Sequence, residues 1–317
     1  MEPDARFDEL VAPLRDDVVS GASDLSRRAA DVLRRASVRI PAGSLEELRW
    51  GLGQVAAAIL DAQPAMAPMV ALVRDVLVAV ERADSLQDGR HAAARAADLF
   101  RGKLEERATA VAGAALPILP VGGTVATLSS SGTVRRLLES EAAPRGISVL
   151  CFESRPIREG RILASALGRA GVEVTYAVDA AAHTLVASCD TVLLGADSIG
   201  DLGVVNKIGS AALAHAARGS GVPVYVLADR TKVLPRGFVQ ALDDDRPASE
   251  VWDAPAGVRV WNRYFEALPT SVVTAFVSED GIETPEDLER HREALELPPG
   301  LRAWAASRAG GTETRPP

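Results

Sequence analysis

The chain has 317 residues, of which 47% are apolar, 25% are charged and 4% are aromatic, and its formal net charge is −8. This length predicts about two domains, and the composition excludes a mainly disordered chain. The acidic balance argues against a protein that binds nucleic acid through bulk positive charge. The two cysteines, Cys151 and Cys189, predict a reducing compartment and provide neither a disulfide framework nor a CxxC metal site.

The N-terminal sequence does not predict export or membrane insertion. Its first ten residues, MEPDARFDEL, are acidic and lack the basic and apolar pattern of a signal peptide. A long uncharged stretch, residues 108–133, contains Pro117, Pro120, Gly122 and Gly123, which a membrane helix would not tolerate well. We interpret this stretch as a connection between domains, and we expect a cytoplasmic protein with no membrane partner.

Residues 1–115 are predicted to form a helical N-terminal domain. Ser44 followed by Glu47 has the pattern of a capping box at a helix start. Apolar residues then recur at helical spacing at Leu45, Leu48, Leu52 and Val55. Further helices are predicted over 66–83 and 89–114, and the segment QPAMAP (63–68) separates two of these helices.

Residues 116–317 are predicted to form an α/β domain, because short apolar runs alternate with helical segments from Thr124 onward. The predicted strands are 124–128, 147–152, 172–178, 191–194 and 222–227, and the predicted helices are 133–142, 159–170, 180–187 and 208–219. This alternation predicts a parallel sheet covered on both faces. Ligands bind beyond the carboxyl ends of such strands, so candidate site residues are sought in the segments that follow them.

The first strand is followed by the small hydroxyl residues Ser129–Ser131 and then by Gly132 and Thr133. Such a loop allows a phosphate to approach unpaired backbone N–H groups at a helix start. The alternative is that a serine or threonine simply caps the helix. No GxGxxG motif follows this strand, so a nicotinamide cofactor is not supported.

Two charged residues follow other strands. Arg155 lies in the segment ESRP, where its guanidinium could bind a phosphate or instead pair with Glu153 or Glu159. Asp197 ends the segment TVLLGAD, where its carboxylate could transfer protons or merely cap a helix.

Asn206 and Lys207 are adjacent in a chain that contains only two asparagines and three lysines among its 35 basic residues. Arginine and lysine are not interchangeable at a specific site, so a kept lysine favours a need for an ammonium group, and the alternative is that it was kept by chance. We predict that Asn206 and Lys207 open a helix and face an anionic, hydroxylated ligand. The four histidines have no metal-ligand spacing, and we interpret them as surface or core residues.

Several segments together resemble a known family. GADSIGDLGVVNKIGS (195–210), FESRP (152–156), TLSSSGTV (127–134), SGASDLSRRAADVLRR (20–35), PAMAPM (64–69) and WNRYFEALPTSVVTAFVSEDGI (261–282) carry the resemblance over nearly the whole chain. The family contains methylthioribose-1-phosphate isomerase, ribose-1,5-bisphosphate isomerase and the α, β and δ regulatory subunits of translation initiation factor 2B. The GAD and NK segment is the specific part of this match.

The resemblance implies a helical N-terminal domain, a Rossmann-like C-terminal domain and a dimer or a dimer-based hexamer. It also implies a phosphorylated sugar or nucleotide as ligand, and no metal or cofactor is expected. Ser131 and Gly21 match the family's binding segments, as do Arg155, Asn206 and Lys207. In the isomerases the aspartate of GAD, here Asp197, works with a cysteine of the first loop.

Two positions depart from the isomerase pattern. The catalytic cysteine is replaced by Ser129, and the arginine before Gly21 is replaced by Ser20. A serine hydroxyl cannot supply a thiolate near neutral pH, although it can hydrogen-bond a sugar hydroxyl. The sequence therefore leaves two hypotheses: an aldose–ketose isomerase that uses Asp197 with Ser129, or a non-catalytic regulatory subunit or metabolite sensor.

Overall fold

The computed structural model describes residues 5–17, 20–238, 242 and 245–309. Five α-helices of this part of the chain precede the first strand: α1 (Ala5–Arg15), α2 (Ala22–Arg39), α3 (Leu45–Ala62), α4 (Ala67–Glu81) and α5 (Leu86–Ala114). The capping-box prediction is correct in one half, because the Ser44 side chain accepts a hydrogen bond from the Glu47 backbone N–H. In return, the Glu47 carboxylate accepts from the N–H of Gly43 rather than from that of Ser44.

The second half contains the main sheet. Its strands are β1 (Thr124–Leu128), β2 (Ser148–Phe152), β3 (Val174–Ala177), β4 (Thr191–Leu194), β5 (Ser198–Gly200), β6 (Gly203–Lys207), β7 (Val224–Leu227), β8 (Phe265–Leu268), β9 (Ala275–Ser278) and β10 (Gly281–Glu283). The helices are α6 (Gly132–Glu141), α7 (Gly160–Arg169), α8 (Ala182–Leu185), α9 (Ser210–Gly219), α10 (Pro285–Ala294) and α11 (Pro299–Ala309). The predicted α/β class with a helical N-terminal region is confirmed.

The strand order of the main sheet determines where its crevice lies. Seven strands run in the order β10-β9-β7-β4-β1-β2-β3, all parallel except β10. Chain order therefore reverses between β1 and β4, which pair directly. The carboxyl ends of the two strands at such a reversal bound a crevice where ligands bind in open parallel sheets. A separate antiparallel sheet has the order β5-β6-β8.

The helical region and the sheet region share apolar contacts. Buried residues of α1–α5 form one core with C-terminal residues such as Phe265, Leu301 and Ala305. The last turns of α5, at Val111 and Ala112, belong instead to a core under the main sheet. The division at residues 115/116 stays a prediction, and the predicted outer limits 1 and 317 lie outside the described residues.

No helix in the described ranges is long and apolar enough to cross a membrane.

The prediction that Asn206 and Lys207 open a helix is wrong. They end β6, which pairs with β5 and β8, and the helix begins only at Ser210. Gly209 turns the chain between strand and helix with a φ of +99°, a conformation that favours glycine. The predicted helix over 180–187 is also shorter, because α8 spans four residues between two short 3₁₀ turns.

Candidate functional site

A cavity of about 350 Å³ lies at the reversal point between β1 and β4. The main sheet contributes the loops after these two strands and after β7, and β6 contributes its end. The helical region closes the other side with the start of α2 and with Gln63 and Met66 between α3 and α4. This volume falls in the usual range for small-molecule sites.

The structure brings six of the seven predicted site residues together. The residues that line the cavity are Gly21, Ser129, Ser131, Asp197, Asn206 and Lys207. Arg155 is not among the lining residues. Its guanidinium donates a hydrogen bond to the Val251 carbonyl at 3.3 Å, and a phosphate-binding role for it stays a prediction without support from this cavity.

Asp197 lies three residues after the end of β4, and two hydrogen bonds hold its backbone. Its N–H donates to the Val205 carbonyl at 2.8 Å, and its carbonyl accepts from the N–H of Ala67 at the start of α4 at 3.0 Å. Burial away from water raises the pKa of the Asp197 carboxyl, an effect that Lys232 and Lys207 oppose and Glu159 reinforces. A carboxyl with a raised pKa in a cleft is suited to taking up and releasing a proton.

The loop after β1 holds its serines in a specific backbone conformation. Ser129 has a φ of +69°, which is uncommon for a residue other than glycine. Ser131 caps α6 by accepting from the Val134 N–H at 3.5 Å, so the capping alternative holds for this serine while it also lines the cavity. A Cβ at Gly195 would lie 2.5 Å from Ser131 Oγ, so the loops after β1 and β4 approach closely at this glycine.

Lys207 is buried in a specific arrangement of charge and aromatic rings. Its Nζ lies 2.6 Å from Glu159 Oε1, and both side chains are only 8% exposed. The same ammonium lies 4.9 Å and 4.8 Å from the ring centroids of Tyr264 and Phe265. These interactions neutralise the charge and fix the position of the Lys207 ammonium.

Asn206 is oriented by a hydrogen-bonded serine. Its Nδ2 donates to Ser210 Oγ at 2.9 Å, and Ser210 Oγ in turn donates to the Lys207 carbonyl at 2.6 Å. Because Ser210 is fully buried at the start of α9, this network fixes the amide at the cavity wall.

Backbone N–H groups after β2 and at the start of α9 donate to carboxylates of the chain. The N–H groups of Ser154 and Arg155 each donate to Asp179 at 2.7 Å. At the start of α9, the N–H groups of Gly209 and Ala211 both donate to Glu266 Oε1 at 2.8 Å. These N–H groups are therefore not open to a ligand in this structure.

Sequence reasoning missed Glu159 and Lys232 as cavity residues. Lys232 follows β7 in a 3₁₀ turn and is only 8% exposed. The scarcity of lysine that singled out Lys207 applies equally to Lys232, and it could have found this residue. Glu159 has no comparable signal, because its partner Lys207 is 48 positions away in the sequence.

Among the described residues there is no cluster of His, Cys, Asp and Glu arranged to hold a metal ion.

The strand order and the cavity define an α/β protein whose candidate ligand site lies at the reversal point of a parallel sheet. The model of the Initiation factor 2 subunit family matches residues 18–285, and the chain belongs to this family. The family resemblance of the sequence is thereby confirmed.

Relatives across most of the chain are sugar-phosphate isomerases. Methylthioribose-1-phosphate isomerase of Gemmatimonas aurantiaca is 28% identical over 295 residues, which cover 88% of this chain and 86% of that protein. Ribose 1,5-bisphosphate isomerase of Haloferax volcanii is 29% identical over 285 residues, which cover 85% and 86%.

Solved structures show the same fold. The translation initiation factor eIF-2B of Pyrococcus horikoshii OT3 has a TM-score of 0.76 and 24% identity, covering 89% of this chain and 98% of that one. The tetrameric eIF2B-beta2-delta2 complex from C. thermophilum has a TM-score of 0.72 and 19% identity, covering 92% and 94%. At these identities the likeness concerns the fold alone.

Proposed function

We propose that the chain is a sugar-phosphate aldose–ketose isomerase in which Asp197 transfers the proton. The single observation that carries the proposal is Asp197 itself, a carboxyl whose pKa is raised by burial, at the wall of a cavity of small-molecule size. The similarity to methylthioribose-1-phosphate and ribose 1,5-bisphosphate isomerases along most of the chain supports the substrate class.

Each cavity residue has a separate role in the proposed reaction. Isomerisation moves a hydrogen between two neighbouring carbons, and Asp197 takes and returns the proton. Ser129 orients the hydroxyls of these carbons by hydrogen bonding, since its hydroxyl cannot act as a thiolate would. Asn206 and Lys207 donate hydrogen bonds to the remaining sugar oxygens, and the start of α2 at Gly21 offers backbone N–H groups.

A second function is favoured by one observation. Ser129 stands at the loop position where the resemblance to the isomerases implies a cysteine. The chain would then bind a phosphorylated sugar or nucleotide as a regulatory subunit or sensor, without turnover. The two functions share the cavity and differ only in what happens after binding.

The test begins with thermal unfolding of the protein in the presence of individual phosphorylated sugars, including methylthioribose 1-phosphate and ribose 1,5-bisphosphate. Each stabilising sugar is then assayed for isomerisation. Asp197→Asn preserves the size of the side chain but cannot exchange the proton, so we expect binding to persist and turnover to fall about 10²–10⁴-fold. Ser129→Cys is expected to raise the activity. Tight binding without isomerisation, unchanged in Ser129→Cys, would favour the sensor.

We further propose a cytoplasmic homodimer or a dimer-based hexamer. Exposed aromatic residues at Trp252 and Trp261 support a further contact surface, as does the oligomeric state named for the eIF2B-beta2-delta2 structure. Sedimentation at micromolar protein concentration tests this proposal, and a single monomeric species would contradict it.

A further inference from the structure

The second of the chain's two asparagines, Asn262, is not among the residues that line the cavity, but it fixes a segment that reaches the cavity. Asn262 is only 3% exposed. Its Nδ2 donates to the Pro247 carbonyl at 2.9 Å and to Glu250 Oε2 at 2.8 Å. Its own carbonyl accepts from the Arg246 N–H at 2.9 Å. One buried residue therefore holds residues 246–250 in place by three hydrogen bonds.

The second oxygen of the Glu250 carboxylate accepts from a cavity residue. The Tyr264 hydroxyl donates to Glu250 Oε1 at 2.6 Å, and the fully buried Tyr264 lines the cavity. The Tyr264 carbonyl accepts from the Ile208 N–H just after β6 at 2.8 Å, so its backbone is fixed as well. A hydrogen bond from a hydroxyl to a carboxylate is short and strong. Glu250 thus joins residues 246–250 to an aromatic ring at the cavity wall.

Two cations of the cavity lie against this ring. Lys207 Nζ is 4.9 Å from the centroid of the Tyr264 ring, and the guanidinium carbon of Arg246 is 4.6 Å from it. Lys207 and Arg246 both line the cavity. An aromatic ring attracts each cation, whereas the two like charges repel each other. A ring that is fixed at its hydroxyl end holds both cations in defined positions.

We propose that Glu250 is a positioning residue of the cavity, which acts by fixing the Tyr264 ring. Through this ring it also fixes the ammonium of Lys207 and the guanidinium of Arg246. The inference rests on the proposed function in taking an anionic, phosphorylated ligand. Side chains that are ordered before the ligand arrives spare it the cost of ordering them. Glu250 is not among the cavity-lining residues, so it affects ligand binding more than proton transfer at Asp197.

The first test measures the binding of inorganic phosphate by calorimetry, at constant ionic strength maintained with chloride. Tyr264→Phe removes the hydroxyl and keeps the ring. We expect this variant to raise the Kd for phosphate about 3–10-fold, the cost of ordering one side chain on binding. Tyr176→Phe is the matched control, because Tyr176 is an exposed tyrosine on the edge strand β3. It should leave the Kd unchanged, and an equal Kd for wild type and Tyr264→Phe would overturn the inference.

A double variant tests whether the hydroxyl and the carboxylate act as one unit. Glu250→Ala removes the acceptor and should also raise the Kd for phosphate. Tyr264→Phe/Glu250→Ala should have the same Kd as Glu250→Ala alone, because the hydrogen bond is already absent. Thermal unfolding verifies that each variant is folded. A merely structural role would lower the unfolding midpoint and leave the Kd of the folded variants unchanged. That result, or increases in Kd that multiply in the double variant, would overturn the inference.

Enzyme kinetics separate this inference from the proposed function. If a sugar phosphate is isomerised, Tyr264→Phe should raise the KM by a larger factor than it lowers kcat, because Asp197 keeps its place. Turnover with a wild-type KM in this variant would overturn the inference and leave the proposed function intact. If the Kd values change as expected and no sugar phosphate is isomerised, the inference stands and the proposed enzyme fails. A wild-type protein that does not bind phosphate would overturn the inference, because its cations would not be held for an anion.

Discussion

The loops after β1 and β2 have similar backbones and different roles. Each follows a parallel strand, precedes a helix and contains a serine of positive φ, Ser129 at +69° and Ser154 at +62°. Ser154 is fully buried, and its N–H donates to Asp179, whereas Ser129 is half-buried and lines the cavity. In this fold, a loop at a strand end is open to a ligand only where no carboxylate of the same chain already accepts from its N–H groups.

The sheet topology explains why the loop after β1, and not the loop after β2, is accessible to a ligand. β1 pairs with both β2 and β4, and the chain order reverses between β1 and β4. The crevice therefore opens beside the loop after β1. β2 lies one strand away from the reversal, and Asp179, two residues beyond the end of β3, reaches its loop.

The largest expected effect concerns the loop after β2 (residues 153–159), called the closed loop because Asp179 accepts from its N–H groups. Gly160 begins α7, and a Cβ at this position would lie 2.0 Å from the carbonyl oxygen of Phe152 in β2. Because the neighbour is backbone within a paired strand, it cannot move aside without disturbing the sheet. Gly160→Ala should lower the free energy of unfolding by about 3 kcal/mol or more, measured by urea denaturation.

Gly168 in the same helix is the matched control. In the described part of the chain, nothing lies within 4 Å of the place that a Cβ on Gly168 would occupy. Gly168→Ala should therefore be neutral or slightly stabilising, by about 0.5–1 kcal/mol. Equal destabilisation by the two substitutions would show that packing against β2 does not hold the closed loop.

The second prediction opens the closed loop. Asp179→Ala removes the carboxylate that accepts from both Ser154 and Arg155, and two N–H groups lose a charged acceptor. We expect a loss of about 2–3 kcal/mol in the free energy of unfolding. Phosphate binding at the cavity should be unchanged, measured by calorimetry. A large fall in phosphate affinity would contradict the separation of the two loops.

The third prediction concerns the loop after β1 (residues 129–131), called the open loop because it lines the cavity. A Cβ at Gly195 would overlap Ser131 Oγ and Cβ, at 2.5 Å and 2.7 Å. Here the neighbour is a side chain in a partly exposed loop, which can move. Gly195→Ala should therefore cost only about 1 kcal/mol of stability but weaken phosphate binding about tenfold, through displacement of the loop after β1. The reverse pattern, unfolding with intact binding, would contradict this assignment.

Much of the fold could be predicted from the sequence. The strands 124–128 and 191–194 are predicted at their observed limits, because a buried parallel strand is a continuous apolar run with clear ends. Asp197 and Ser129 could be predicted as site residues, because a strand end in a parallel sheet is a topological position that sequence patterns indicate.

The rest depends on contacts between distant residues. The local sequence predicts a helix start at Asn206 and Lys207, because β6 is short and its partner β8 lies about sixty residues further on. The strand assignment depends on that pairing, which local periodicity does not reveal. In the same way, only the folded structure shows that Glu159 pairs with Lys207 and that Lys232 lowers the pKa of Asp197.

The last expected effect is a pH dependence of the free energy of unfolding that arises from Asp197 in the cavity. Burial raises the pKa of Asp197, while Lys232 and Lys207 lower it and Glu159 raises it. At low pH the carboxyl is protonated in both folded and unfolded chains, so its charge carries no penalty. As pH rises past the ordinary value of about 3.9, the unfolded chain loses the proton first. Stability therefore falls until pH passes the raised folded-state pKa, and it is constant above.

The last prediction follows from this decrease of stability with rising pH. Wild type should lose stability relative to Asp197→Asn as pH rises through this window, measured by urea denaturation between about pH 4 and pH 8. In Lys232→Met the largest opposing cation is gone, so the pKa of Asp197 should rise further and the decline relative to Lys232→Met/Asp197→Asn should extend to higher pH. Lys103→Met should show the wild-type profile, because its lysine is exposed. Parallel pH profiles for wild type and Asp197→Asn would mean that Asp197 has an ordinary carboxyl pKa, and the case for it as the proton-transferring group would then lose its electrostatic basis.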